Sequence, residues 1–190
     1  MGTKDELRVR LRALLLERSI SRGTFVLASG RRSSVYVDAR RTTMAGEGLT
    51  VVGALGLRSL QQREWNPRAI GGLTLGADPV AYAIAAAADA QRIPLDAFTV
   101  RKAPKEHGTG RRIEGCFEKG DAVVIVEDVL TTGTSALEAI QVVQAAGGSI
   151  LGVLAVVDRE EGGRAAIEGA GHGLEVMVSA RELGLDAAGH

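Results

Sequence analysis

The chain has 190 residues, 45% of them hydrophobic, which suits one compact domain with a sizeable core. Lysine plus arginine number 23 and aspartate plus glutamate 23, so the net charge is zero and no global field draws in nucleic acid or an anionic membrane. The single cysteine, Cys116, excludes an internal disulfide, fits a reducing cytosol and reads as structural, and no long charge-free apolar run offers a membrane span.

Residues 1–20 alternate charges with leucines and lack the uninterrupted apolar core of a signal peptide, so a cytoplasmic location is expected. A helix over residues 4–18 would place Leu7, Leu11, Leu14 and Leu15 on one face and solvated arginines on the other. Residues 24–41, TFVLASGRRSSVYVDARR, read as two short strands around a turn, and residues 46–62 as a helix. A strand over residues 68–73 leads into TLGADP. There Asp78 and Pro79 resemble the cap and first position of an alanine-rich helix, a metal or water contact being the other reading of Asp78. FTVRK supplies the next strand. The alanine runs and the 25 glycines fit a compositional bias rather than low complexity, because apolar periodicity persists.

Residues 101–112, RKAPKEHGTGRR, hold Arg101, Lys102, Lys105, Arg111 and Arg112 against Glu106 alone, five minus one, for a local charge of +4 with His107 neutral. Pro104, Gly108 and Gly110 argue against helix or strand, so a flexible basic loop is expected. Such a loop is either a solvated charged segment, an RNA contact included, or a lid whose Lys105 and His107 donate to a diphosphate.

Residues 123–135, VVIVEDVLTTGTS, carry the most information. Val123, Val124, Ile125 and Val126 lack polar alternation, as in a parallel strand buried on both faces. Glu127 and Asp128 arrive where such a strand ends, beyond which ligands of open α/β sheets sit, and carboxylates there can accept hydrogen bonds from the vicinal hydroxyls of a ribose. Val129 and Leu130 lead into Thr131, Thr132, Gly133, Thr134 and Ser135, a hydroxyl- and glycine-rich turn opening a helix of about residues 135–146 whose free amides suit a phosphate. Residues 149–159, SILGVLAVVDR, complete a βαβ unit, and LEVMVSARELG closes the chain with a strand and short helix. Neither GxxxxGK[ST] nor GxGxxG occurs. The alternation of strand and helix predicts an α/β fold with a central, mostly parallel sheet flanked by helices.

The acid pair followed by TTGTS resembles the 5-phosphoribosyl 1-diphosphate (PRPP) binding signature of the type I phosphoribosyltransferases. RKAPKEHGTGRRIEG further resembles the catalytic loop of the orotate phosphoribosyltransferases, with Arg101, Lys102, Lys105 and His107 in the matching places. FVLASGRRSSVYVDAR resembles that family's hood over the base, and VVDREEGG places Arg159 where the family has an orotate-binding arginine. The likeness spans about residues 25–163.

The resemblance implies transfer of the 5-phosphoribosyl group from PRPP to N1 of orotate, giving orotidine 5′-monophosphate and diphosphate in de novo pyrimidine (UMP) synthesis. It implies one domain over residues 1–190, with an N-terminal helix and hood to about residue 45. It assigns Glu127 and Asp128 to the ribose, Thr131, Thr132, Gly133, Thr134 and Ser135 to the 5′-phosphate, Lys105 and His107 to the departing diphosphate, Arg101, Lys102, Val129 and Leu130 to PRPP more generally, and Thr131 with Arg159 to orotate. Lys105, His107 and Asp128 would be catalytic, Asp128 as a proton acceptor. Mg²⁺ would be carried by PRPP rather than held directly, and the protein would be a homodimer with sites shared between subunits, binding neither nucleic acid nor membrane. Two departures stand out. Many members have lysines where this chain has Ala28 and within GLTLGADP, which leaves the diphosphate to backbone amides of about residues 75–77 and to the loop of residues 101–107. Arg159 has a salt bridge to Glu160 or Glu161 as its alternative. Transfer to another base such as a purine, and a non-catalytic PRPP sensor, remain the competing readings.

Overall fold

The computed structural model describes residues 2–26, 32–103 and 111–185. Helix α1 (Lys4–Arg18) opens on a capping box, in which the Glu6 amide donates to the Thr3 hydroxyl at 3.2 Å and the Thr3 amide to the Glu6 carboxylate at 2.7 Å. Strands β1 (Ile20–Val26) and β2 (Arg32–Val37) pair antiparallel as a separate two-stranded ribbon, the expected hood. A one-turn helix, α2 (Arg40–Thr43), follows, and the hood is tied down beneath it. The Thr42 hydroxyl donates to the Leu14 carbonyl at 3.2 Å and is 2.7 Å from the Ser19 hydroxyl, while the Asp38 amide donates to the Ser19 carbonyl.

The main sheet contains β3 (Ala69–Leu73), β4 (Asp96–Val100), β5 (Ile113–Gly115), β6 (Ala122–Leu130), β7 (Ser149–Asp158) and β8 (Leu174–Ser179) in the order β5-β4-β3-β6-β7-β8. Only β5 is antiparallel. Strand β3 hands the chain to one side, toward β4, and β6 hands it to the other, toward β7. The gap between the carboxyl ends of β3 and β6 is therefore the topological switch point, the crevice where open α/β sheets bind ligands.

Successive residues of β6 feed two cores. Val124 and Val126 pack with α1, α3 (Gly46–Gln62) and α4 (Ala77–Asp89), whereas Val123 and Ile125 pack with α5 (Thr134–Ala145) and α6 (Gly163–Gly169). Burial on both faces explains the unbroken apolar run of this strand. The small residues are not mere composition. A Cβ at Gly53 would lie 2.4 Å from the Ala83 carbonyl, so α3 and α4 approach closely because both present small side chains. Cys116, expected to be structural, is exposed.

The structure adds elements that the sequence pattern left as loop: β5, α2 and α6. It also lengthens β6, so that Glu127 and Asp128 lie within the strand rather than at its end. No helix among the described residues is long and apolar enough to cross a membrane.

Candidate active site

A cavity of about 320 Å³ opens at the switch point. Its floor is the end of β6, with Glu127, Asp128 and Val129; one wall is the segment from Leu73 to Gly76 that joins β3 to α4; the hood contributes Tyr36 to Arg40; Lys102 and Ser135 complete the rim. Of the residues expected to bind the sugar phosphate, Lys102, Glu127, Asp128, Val129 and Ser135 line this space. Leu130, Thr131, Thr132, Gly133 and Thr134 form the bend just beyond it and the start of α5. Ala28, Lys105 and His107 lie outside the described residues.

The bend is shaped for an anion. Gly133 occupies the left-handed region at φ 84°, and no side chain caps α5, so the amides of its first turn are left for an outside partner. The Thr132 and Thr134 hydroxyls lie 2.9 Å apart on the exposed side of the turn. Its underside rests on the start of α6, where a Cβ at Gly163 would meet the Thr131 carbonyl at 2.6 Å. None of these threonines caps α5, whose N-cap is Gly133 without a side-chain hydrogen bond.

The acid pair is electrostatically unusual. Burial, reinforced by the neighbouring Asp128 charge and a hydrogen bond from that side chain, pushes Glu127 up to about 8, with Lys102 pulling weakly the other way. Asp128 is also raised by burial, against the Val129 amide, which donates to it at 2.9 Å, and the Arg40 charge. Arg40 faces the pair because its guanidinium donates to Asp38 at 2.8 Å, an interaction that holds the Asp38 carboxyl below its ordinary range. Two adjoining carboxyls, with a cation across the cavity, can accept from a diol. The Asp38–Arg40 contact was not anticipated; the only trace in the sequence is an Asp-x-Arg spacing after a strand.

Two charged residues, Asp78 and Arg112, differ from expectation. Asp78 does not cap α4, whose N-cap is Gly76 without a side-chain bond; its carboxylate accepts from the Thr74 hydroxyl at 2.6 Å and the Thr99 hydroxyl at 2.8 Å. Asp78 sits one residue inside the helix, where it reaches sideways to the adjoining strands. Arg112 is not a solvated loop cation. Its guanidinium donates to the Arg101 carbonyl at 2.8 Å and 3.0 Å, to the Lys102 carbonyl at 3.1 Å and to Glu138 of α5. Arg101 itself hydrogen-bonds through its amide to the Arg112 carbonyl, and its guanidinium is 3.9 Å from Glu114. Arg159 is paired with Glu161 at 2.9 Å, and neither it nor Thr131 lines the cavity.

The model of the phosphoribosyl transferase domain matches residues 47–180. The chain belongs to that family. An orotate phosphoribosyltransferase of Aquifex aeolicus is 44% identical over 179 residues, covering 93% of this chain and 97% of that protein. The structure of Mycobacterium tuberculosis orotate phosphoribosyltransferase in complex with PRPP superposes with a TM-score of 0.78 at 39% identity, over 94% of this chain and 99% of that one. A phosphoribosyltransferase from Corynebacterium diphtheriae reaches 0.84 at 35% identity, over 95% and 99%. The mostly parallel sheet with its hood is the type I phosphoribosyltransferase fold.

Proposed function

We propose that the protein transfers the 5-phosphoribosyl group from PRPP to orotate, releasing diphosphate and forming orotidine 5′-monophosphate. The observation that carries this reading is the convergence of two features on one crevice: the adjoining carboxyls of Glu127 and Asp128 and the uncapped start of α5. Names of relatives that cover nearly the whole chain, orotate phosphoribosyltransferases throughout, support the choice of base.

Bond breaking at C1 leaves positive charge on the sugar and negative charge on the diphosphate, so the site must position and screen rather than supply a nucleophile. Glu127 and Asp128 accept from the ribose hydroxyls, and Asp128, its carboxyl shifted upward by burial, is the proton acceptor. The amides and hydroxyls from Thr131 to Ser135 hold the 5′-phosphate. Lys102, with Arg101, Lys105 and His107 by resemblance, stabilises the departing diphosphate. Thr131 and Arg159 recognise orotate, for which Arg159 exchanges part of its Glu161 contact for the carboxylate or carbonyl of the base. Mg²⁺, carried on PRPP rather than held by the protein, would offset charge on the diphosphate. The reading includes one domain over residues 1–190, a cytoplasmic homodimer with shared sites, and no role for nucleic acid or membrane.

The test follows loss of orotate absorbance with PRPP and Mg²⁺, beside adenine, hypoxanthine and uracil. Consumption of orotate alone is expected. Turnover of a purine would reassign the base, and PRPP binding without turnover of any base would make the protein a sensor.

A further inference from the structure

The segment from Thr74 to Gly76 lines the cavity and carries no cationic side chain. A diphosphate held by backbone amides demands that the backbone not move, because amides cannot reach as a lysine side chain can. The hydrogen bonds behind this segment supply that rigidity. Asp78 is buried, at 9% exposure, with both carboxylate oxygens occupied: Oδ2 accepts from the Thr74 hydroxyl at 2.6 Å and Oδ1 from the Thr99 hydroxyl at 2.8 Å. Thr99 has one hydroxyl proton, which Asp78 takes, so the Tyr82 hydroxyl, 2.8 Å from the same oxygen, must be donating to Thr99. The donations therefore run from Tyr82 to Thr99 to Asp78, and from Thr74 to Asp78, leaving the charge saturated on the side away from the cavity. The Thr74 amide donates in turn to the Val100 carbonyl at 2.8 Å.

We propose that Asp78 is a positioning residue for diphosphate: through Thr74 and Thr99 it fixes the segment from Thr74 to Gly76, so that the amides of Leu75 and Gly76 can hold the diphosphate. Asp78 acts on the leaving group without touching it, and neither caps the helix nor holds a metal. The inference rests on the reading of this cavity as the PRPP site.

The experiment compares wild type with Asp78→Asn, Thr99→Val and Thr99→Ser in binding of PRPP, diphosphate and ribose 5-phosphate, with orotate KM and thermal midpoint alongside. Asp78→Asn turns an acceptor toward one hydroxyl into a donor. It should weaken diphosphate and PRPP about tenfold, the scale of one charge-assisted hydrogen bond, while ribose 5-phosphate and orotate KM change less than about twofold. Thr99→Val should reproduce that selectivity, and Thr99→Ser, which keeps the hydroxyl, should restore wild-type binding. Equal weakening of diphosphate and ribose 5-phosphate, or no weakening of either, overturns the proposal. Should Asp78→Asn fail to fold, the Thr99 pair decides alone. Wild-type protein that binds no PRPP would sink the proposed function itself, whereas wild-type turnover with unselective variants sinks only the role of Asp78.

Discussion

Gly76 offers the sharpest test of the acid pair. A Cβ built there would lie 2.3 Å from Asp128 Oδ1, 2.5 Å from its Cγ and 2.7 Å from Oδ2, where ordinary contact begins at 3.4 Å. Gly76→Ala must therefore drive the carboxylate back by roughly 1 Å, because Asp128 is held in the middle of a paired strand and its side chain is the part free to give. Gly76 has φ −65°, which alanine adopts freely, so the backbone cost is small and the loss of folding stability, about 1–3 kcal/mol, comes from the crowding itself. A displacement of this size at a substrate-positioning group costs about 10²-fold, or about 2.7 kcal/mol of transition-state stabilisation. The assay is kcat/KM for PRPP by orotate absorbance, read beside the thermal midpoint. Asp128→Ala supplies the control: once the carboxylate is gone, adding Gly76→Ala should cost nothing more, a non-additivity expected only of groups in contact. Gly76→Ala with more than half of wild-type kcat/KM, or with additive losses in the double variant, would refute the reasoning.

Other expectations follow from the same geometry. Glu127 has a folded pKa of about 8 against an ordinary 4.5, so the unfolded chain releases its proton first, stability contributed by this group is complete below pH 4.5 and falls as pH rises toward 8, and Glu127→Gln should flatten that decline in thermal midpoints measured across the range. Arg112→Ala frees the Arg101 and Lys102 carbonyls and should raise KM for PRPP about tenfold, with no rescue by Arg112→Lys because an ammonium lacks the planar fork; an unchanged KM would make the clamp irrelevant to binding. If sites are shared between subunits, inactive Lys105→Ala mixed with inactive Thr134→Pro should regain partial activity once subunits exchange, and a mixture that stays dead despite demonstrated exchange counts against sharing.

The sequence disclosed most where one local rule decided the outcome. Helices α1 and α3 run over the residues that periodicity predicts, and the apolar run of β6 announced a strand with helices on both faces. The turn after it was legible because hydroxyls and a glycine have few other uses at that place. Short elements were not: β5 has three residues, fixed by its neighbour rather than by its own pattern, and α6 begins in DREEGG, a string that reads as loop. Long-range polar contacts were equally hidden. Nothing adjacent to Asp78 marks Thr99 as its partner, and Arg112 looked like one more loop cation until the fold set it against two carbonyls and α5. Arg159 shows the reverse, since the salt bridge to Glu161 that the sequence offered as its alternative is present.

The seating of the threonine bend on α6 limits how this catalyst can be re-engineered. With the Thr131 carbonyl 2.6 Å from where a methyl at position 163 would stand, and Gly133 packed 3.3 Å from the Gly163 carbonyl in the same sense, the grip has backbone against backbone and no slack to reshape. Libraries seeking acceptance of a modified pentose would waste their diversity there. Variation belongs at Tyr36 of the hood, whose side chain is exposed, since Val37 and Ala39 beside it belong to the buried core.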